Sequence, residues 1–214
     1  MGLAISVGTL SNLLKSDTEG AAWLEKGLAS ANHVLNAAGL PLHAEPRSLP
    51  PMGSRSSLRS LPYSFIHHLR RAHAHRLRDA GWTASPLKDG ANPAADDVLQ
   101  AALETFESHL ICHSDAEGYY VPIDFQDVLF SGDEVPRLPG GMLGSSYRLL
   151  EELAFVAPAL GIDLQGGRLS DEEARRIDAI ARGGNGLHRE FASWLQLHEA
   201  ASQSIQYRTA IVFA

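Results

Sequence analysis

Two segments of β-type composition stand at opposite ends of this chain, and most of the sequence between them repeats its apolar residues with a helical period. The first segment covers residues 3–7 (LAISV) and the second covers residues 208–214 (RTAIVFA). Apolar residues three and four positions apart are typical of amphipathic helices. The pattern predicts a mainly helical α+β protein with a small sheet that includes the N- and C-terminal strands.

Caps and terminators set the expected limits of the individual elements. Serine and asparagine are typical N-caps, proline favours the first turn of a helix, and glycine follows the last turn. Helices are therefore expected at 17–38, at 62–80, from Pro93 to at least Leu110, from Ser145 or Ser146 to near Pro158, after a capping box of Ser170 and Glu173, and around Trp194. After Gly118 the period changes to two, which predicts a strand over 119–123 in which Pro122 implies an edge position or a bulge.

Length and composition fit one globular domain. The chain has 214 residues, of which 44% are hydrophobic and 20% are charged, so residues 1–214 are interpreted as a single domain. The segment 42–61 is rich in proline and serine and has no sustained period, which predicts a flexible loop or lid.

The sequence also predicts a compartment. Cys112 is the only cysteine, so no disulfide can form within the chain, and the N-terminus lacks the pattern of a signal peptide. No apolar run approaches the ~18 residues of a membrane helix. We therefore expect a cytoplasmic protein without a membrane partner.

Charge is distributed unevenly along the chain. The segment 47–88 holds eight Lys or Arg residues and one acidic residue, whereas the rest holds 10 basic and 24 acidic residues, within a net charge of −7. The helix predicted at 62–80 presents His67, Arg70, Arg71 and His75, which could contact an anion, a partner or the protein's own carboxylates. An acidic chain argues against a dedicated nucleic-acid binder.

Residues 109–125 concentrate groups that can perform chemistry. His113, Asp115 and Glu117 are candidate catalytic residues. His109 and His113 are candidate metal ligands if they lie on a helix, where they would approach within ~6 Å, but not on a strand, where ~13 Å would separate them. Zinc would need further ligands, and the HExxH pattern is absent. The alternative interpretation is a structural junction between a helix and a strand.

A second candidate site is the glycine- and serine-rich turn before the helix near 146. Gly144, Ser145, Ser146 and Arg148 could bind an anion at the start of that helix, and Tyr119 and Tyr120 could line the same pocket. The alternatives are an ordinary helix entrance and two tyrosines of which one is core and one is surface. The lysine of a Walker loop, GxGxxG and GxSxG are all absent, and no cofactor is expected.

Two blocks of the sequence carry a family resemblance. They are CHSDAEGYYVPIDF at 112–125 and GGMLGSSYRLLEEL at 140–153, with the helix that begins LSDEEA at 169. They resemble a family of uncharacterised bacterial proteins of similar length, over most of the chain. The resemblance implies a bacterial cytoplasmic origin and a shared fold, and it brings no activity or catalytic residue. In composition the chain is also similar to immunity proteins of bacterial toxin systems.

Three functional hypotheses follow. The first is a non-enzymatic binding protein with a protein partner, such as an immunity-like inhibitor, because charge is separated and no catalytic signature is complete. The second is a hydrolase or transferase for an anionic small molecule, in which the two blocks meet to form a pocket. The third is binding of nucleic acid or a phospholigand through Arg70, Arg71, Arg76 and Arg78.

Overall fold

The structure, a computed structural model, describes residues 2–88, 90–132 and 137–214. The helices in these residues are α1 (Thr9–Ser16), α2 (Thr18–Ala37), α3 (Tyr63–Arg78), α4 (Asp97–Leu103), α5 (His109–Cys112), α6 (Ser146–Val156), α7 (Asp171–Gly183) and α8 (His188–Tyr207), with 3₁₀ turns at Pro93–Ala95 and Ala157–Leu160. The strands are β1 (Ile5–Val7), β2 (Gly118–Val121), β3 (Leu129–Phe130), β4 (Met142–Ser145) and β5 (Ile211–Phe213). None of the described helices has the length and apolar character needed to cross a bilayer.

The five strands form one mixed sheet in the order β1-β5-β2-β4-β3. The N-terminal strand β1 pairs antiparallel with the C-terminal strand β5, with Ile5 opposite Phe213. β5 also pairs antiparallel with β2, and β2 runs parallel to β4. The predicted α+β fold, with both terminal strands in the sheet, is therefore confirmed.

Helices cover the sheet on both faces. α1 and α2 pack on one face, against Tyr119 and neighbouring apolar residues of the sheet. α3, α6, α7 and α8 pack on the other face, against Tyr120 and its neighbours. Successive strand residues point to opposite faces, so the two tyrosines enter different cores and both are buried. The expectation that one of them would be a surface residue is wrong because this sheet has no open face here.

The helix predicted from Pro93 to Leu110 is wrong, because that stretch contains a 3₁₀ turn and two short helices. Asp96 caps α4 by accepting hydrogen bonds from the backbone N–H groups of Val98 and Leu99. Phe106 then adopts φ of 55°, and the Ser108 hydroxyl caps α5. The break turns Phe106 away from the core, leaving 61% of it exposed. Of the two alternatives for His109, helix or strand, the structure shows the helix, in which His109 lies closer to His113 than it would on a strand.

Pro122 lies at neither an edge nor a bulge. β2 is the middle strand of the sheet and ends at Val121, one residue before the proline. A central strand forms backbone hydrogen bonds with a neighbour on each side, and proline has no N–H to donate to either of them. The predicted strand is thus correct in place, but the proline terminates it.

Residues 42–61 lack helices and strands, as predicted; the first half of the segment contacts α1 and α2, and the second half contacts α7 and α8. The Arg55 guanidinium contacts the Glu199 carboxylate of α8 at 2.7 Å. The Ser57 hydroxyl donates to the Asp178 carboxylate of α7 at 2.8 Å. These contacts favour a fixed strap, and opening of this segment as a lid stays a prediction.

Candidate functional site

The two blocks proposed to form a pocket do meet in space, because β2 pairs with β4 and places Tyr120 beside Gly144. At the end of this pair the Ser145 hydroxyl donates to the Ile123 carbonyl at 2.7 Å. The Ser145 backbone N–H donates to His109 Nδ1 at 3.0 Å. The predicted proximity is therefore confirmed, but the contact is a buried junction.

The proposed anion-binding groups are occupied within this junction. The Tyr120 hydroxyl donates to the His109 carbonyl at 2.8 Å, and the Ser146 hydroxyl shares a hydrogen bond of 2.7 Å with the Ser204 hydroxyl. A Cβ added at Gly144 would lie 2.2 Å from the Tyr120 ring, so this glycine serves close packing. The start of α6 therefore offers an anion no open donor among these groups.

Tyr119 and Arg148, the other two residues of the proposed ligand pocket, lie apart. Tyr119 faces α2, and burial raises its pKa to about 12, so its hydroxyl stays protonated at neutral pH. The Arg148 guanidinium forms ion pairs of 2.8 Å with the Asp124 and Glu151 carboxylates. Neither side chain is directed into the junction of β2 and β4.

The proposed metal pair is also engaged internally. His109 Nδ1 accepts from Ser145, so Nε2 carries the proton and donates to the Gln126 carbonyl at 3.0 Å. No lone pair of His109 remains for a metal. His113 stacks on the Tyr120 ring at 4.3 Å, and burial lowers its pKa to about 3. Across residues 2–88, 90–132 and 137–214, no group of three or more His, Cys, Asp or Glu is arranged to hold a metal ion.

The candidate catalytic residues form hydrogen bonds with different parts of the chain. Asp115 accepts a hydrogen bond of 2.9 Å from His67, and Glu117 accepts from the Gly140 backbone N–H at 3.2 Å. His113 and Asp115 line a cavity of about 210 Å³ with Cys112 and His67. Burial raises the pKa of Cys112, so its thiol lacks the activation of a nucleophile.

Four basic residues of α3 face the protein's own acceptors, whereas Arg76 Nε has no hydrogen-bond partner in the described residues and Arg78 is exposed. Arg70 is buried, and its guanidinium donates to the carbonyls of Leu110 and His113 at the end of α5. Arg71 and His75 both contact the Asp96 carboxylate, at 2.8 and 3.0 Å. With His67 on Asp115, all four residues proposed to contact an anion or partner have acceptors within this chain.

Acidic residues, in contrast, accumulate on an open surface. The segment 96–155 contains twelve Asp or Glu residues and only two Arg residues. Among the described residues seven of these carboxylates are exposed, and five of the seven lie on α6, between α4 and α5, or between β2 and β3. We call this set the acidic surface: Glu104, Glu107, Asp124, Asp127 and Glu151.

Contacts show that the acidic surface is continuous. Arg148 bridges Asp124 to Glu151. Glu151 in turn lines one cavity with Glu107. The exposed rings of Phe106 and Phe130 meet edge to face at 5.6 Å, which places the turn after Glu104 beside the segment that follows Asp127.

Few cations compensate this surface. Within the described residues, the side chains of Glu104, Glu107 and Asp127 form no hydrogen bond or ion pair, and Arg148 is the one cation that pairs with the set. The molecule therefore presents uncompensated negative charge beside two exposed aromatic rings.

In a comparison with family models, residues 1–213 match a family described as "Putative DNA-mimic protein". The chain belongs to this DNA-mimic family. No curated protein and no solved structure matches the chain. The match extends over nearly the whole length and is consistent with the expected membership of an uncharacterised family, whereas the role of the two sequence blocks and the bacterial origin stay predictions.

The sequence of this DNA-mimic family member held a signal for the acidic surface. When charges are counted over all residues outside 47–88, the acidic excess is hidden, because α7 contributes Arg175, Arg176 and Arg182 as well as carboxylates. A shorter window over 96–155 isolates them. The exposed aromatic pair left no such signal, because Phe106 fits the helical apolar spacing.

Proposed function

We propose that this protein binds a DNA-binding protein and occupies the surface with which that partner holds DNA. The observation that carries the proposal is the acidic surface in a member of the DNA-mimic family: five exposed carboxylates with which a single arginine pairs in the described residues. Carboxylates held on a folded scaffold can replace the phosphates that basic residues of a DNA-binding protein contact.

Electrostatics supports this function. Duplex DNA carries one negative charge per ~1.7 Å of its axis, so proteins that bind it present arrays of Lys and Arg. A negative surface attracts such an array and accelerates association. Phe106 and Phe130 add apolar area beside the carboxylates, and aromatic side chains often dominate the binding energy of an interface.

The role is that of a non-enzymatic inhibitor, since occupation of the DNA site excludes DNA. An immunity-like protein, the narrower hypothesis from the sequence, is the case in which the inhibited partner is a toxin. A DNA-binding partner would place this protein in the cytoplasm with that partner. Nucleic-acid binding through α3 has less support because Arg70 and Arg71 already contact internal acceptors, which leaves Arg76 and Arg78 of the four arginines for that role.

The decisive experiment is a competition for the partner. Proteins of the source cell that bind heparin would be passed over the immobilised chain, and a retained protein would be purified. Fluorescence anisotropy of a labelled duplex would then report whether this chain displaces DNA from that protein. We expect complete, mutually exclusive binding that weakens as salt rises.

Matched variants locate the surface. The pair Glu104→Gln and Asp127→Asn should weaken binding about threefold to tenfold, because exposed charge pairs contribute ~0.2–1 kcal/mol each. The control pair, Glu19→Gln and Glu172→Gln, removes the same charge from α2 and α7 and should change binding less than twofold. Simultaneous binding of DNA and this chain to the partner, or equal effects of the two pairs, contradicts the proposal.

A further inference from the structure

A small cavity opens within the acidic surface, between α3, the end of α4 and α6. Its volume is about 260 Å³. Leu77 and Phe155 give it apolar walls, while Glu107, Glu151 and Glu152 supply three carboxylates. Ligand pockets usually measure ~300–1,000 Å³, so this one has the size for a single side chain rather than for a cofactor.

His73 completes the cavity from α3. Its side chain is only 2% exposed, and its Nδ1 has no hydrogen-bond partner in the part of the chain that the structure describes. Burial lowers the pKa of His73 to about 4, so the ring is neutral at physiological pH. A neutral imidazole keeps one acceptor nitrogen, and Nδ1 has that role when Nε2, which lies on the side of the Glu152 carboxyl group, carries the proton. A buried acceptor without a donor is costly unless a ligand supplies one.

Glu152 is held at the base of the cavity. Its carboxylate accepts hydrogen bonds from the Ser108 hydroxyl and from the backbone N–H groups of His109 and Leu110. Its Oε2 lies 4.0 Å from His73 Nε2. The carboxyl group therefore has a fixed position. Because burial raises its pKa to about 7, a cation entering the cavity would favour its ionised form.

We propose that this cavity receives the side chain of one arginine of the partner protein, an inference that rests on the proposed function. Glu107 and Glu151 contact the guanidinium at the rim, and the aliphatic part of the arginine packs between Leu77 and Phe155. The unpartnered nitrogen of His73 is the acceptor for one further N–H.

The chemistry favours arginine over lysine. A guanidinium presents five N–H donors in a plane and stacks on aromatic rings, whereas an ammonium presents three donors. The Phe155 ring is 39% exposed, and Arg76 of this chain already places its guanidinium 5.7 Å from the ring centroid. The carboxylates around the Phe155 ring therefore match a planar guanidinium better than a compact ammonium group.

The test uses N-acetyl-L-arginine methylamide as the probe, with the lysine and norleucine analogues as controls. NMR spectra of protein labelled at Phe and His would follow Phe155 and His73 during each titration. We expect saturable shifts at both residues for arginine, with a dissociation constant on the order of millimolar, binding at least about threefold weaker for lysine, and none for norleucine.

A matched pair of variants locates the binding. Glu151→Gln and Asp124→Asn each remove one carboxylate that pairs with Arg148, but only Glu151 lines the cavity. Glu151→Gln should weaken arginine binding about threefold or more, and Asp124→Asn should leave it within about a factor of 1.5.

Three results overturn the inference: no saturable shift at Phe155, equal binding of the lysine or norleucine analogue, or equal effects of the two variants. These results differ from a failure of the proposed function. If the probe occupies the cavity but no DNA-competed partner exists, the proposed function falls and the guanidinium site stands. If such a partner is found and Glu151→Gln affects its binding no more than Asp124→Asn, the arginine site falls alone.

Discussion

The basic helix α3 and the acidic surface both concentrate charge of one sign, but they use it in opposite ways. Two cations of α3 face acceptors of the same chain: Arg70 donates to two carbonyls and Arg71 pairs with Asp96. Carboxylates of the acidic surface face solvent, with Arg148 as their one cation among the described residues. A cluster of charge in a sequence therefore shows where charge is, and only burial shows whether a partner can reach it.

The difference arises from packing. α3 contacts α4, α5, α6 and α8, so its polar side has little solvent-facing area. The acidic surface is formed largely by turns and by the outer face of α6, which no element covers in the described part of the chain. Buried cations need acceptors in fixed positions, whereas carboxylates on a turn stay solvated at little cost.

The largest expected effect comes from removing the buried charge of α3. Arg70→Met should lower the free energy of unfolding by about 3 kcal/mol, since two buried carbonyls lose their donors. Urea unfolding followed by circular dichroism measures this loss. Arg78→Met at the exposed end of the same helix is the control and should stay within about 0.5 kcal/mol. Equal losses for the two variants would show that Arg70 has no special structural role.

Whether an element could be predicted from the sequence depends on whether its stabilising contacts are local or distant in the chain. The terminal strands and most helix limits were predictable because periodicity and caps act locally: Ser145 caps α6, and the Ser170 hydroxyl accepts from the Glu173 backbone N–H of α7. The break before α5 was not predictable, because Glu152, more than forty residues later, supplies acceptors for the start of that helix.

The candidate site was only partly predictable for a related reason. The proximity of the two blocks follows from hydrophobic strands that must pair, whereas their burial depends on helices that cover both faces of the sheet. Ser145 and Ser146 show the consequence, because residues typical of an anion-binding turn are here completely buried. Composition identifies polar side chains but not the elements that pack over them.

Glu152 gives the next largest effect, through pH. Burial raises its pKa to about 7 in the folded protein, against an ordinary value of 4.5, despite hydrogen bonds from Leu110, His109 and Ser108 that oppose the rise. The folded state therefore binds this proton more tightly than the unfolded state. The sign follows directly: stability attributable to Glu152 falls as pH rises from about 4.5 to about 7.

Glu152→Gln should remove that dependence. Urea unfolding at several pH values should show wild type losing about 2 kcal/mol relative to the variant across this interval. Burial lowers the pKa of His73 from 6.5 to about 4, which makes its contribution to stability rise with pH over part of this interval, but both proteins carry His73, so its effect cancels from the comparison. The exposed neighbour Glu151→Gln is the matched control and should follow wild type. Parallel curves for wild type and Glu152→Gln would contradict the assignment.

Asp96 should show a smaller effect with the opposite sign. Burial alone would raise its pKa, but hydrogen bonds from His75 and Arg71 outweigh burial and lower it to about 2. Its stabilising contribution is therefore present above about 3.8 and is lost as pH falls towards 2. Asp96→Asn keeps a good N-cap for α4 but should cost about 1 kcal/mol at pH 7.

The neighbouring Asp97→Asn is the control for this change, because Asp97 is exposed and has no side-chain partner among the described residues. It should be close to neutral at every pH. Unfolding measured at pH 7 and near pH 2 should show the Asp96→Asn deficit shrinking at low pH. A deficit of constant size would assign the effect to packing rather than to charge.

The smallest effect on stability is expected at the acidic surface itself. Glu104→Gln with Asp127→Asn should change the free energy of unfolding by less than about 0.5 kcal/mol, because neither side chain has an internal partner in the described structure. Any change should be a slight gain at low salt, where repulsion among carboxylates is least screened, and should vanish at 1 M salt. A loss above about 1 kcal/mol would mean that these carboxylates serve the fold as the cations of α3 do. Near neutrality in stability, combined with weaker partner binding, is the result that separates a surface kept for recognition from charge used in folding.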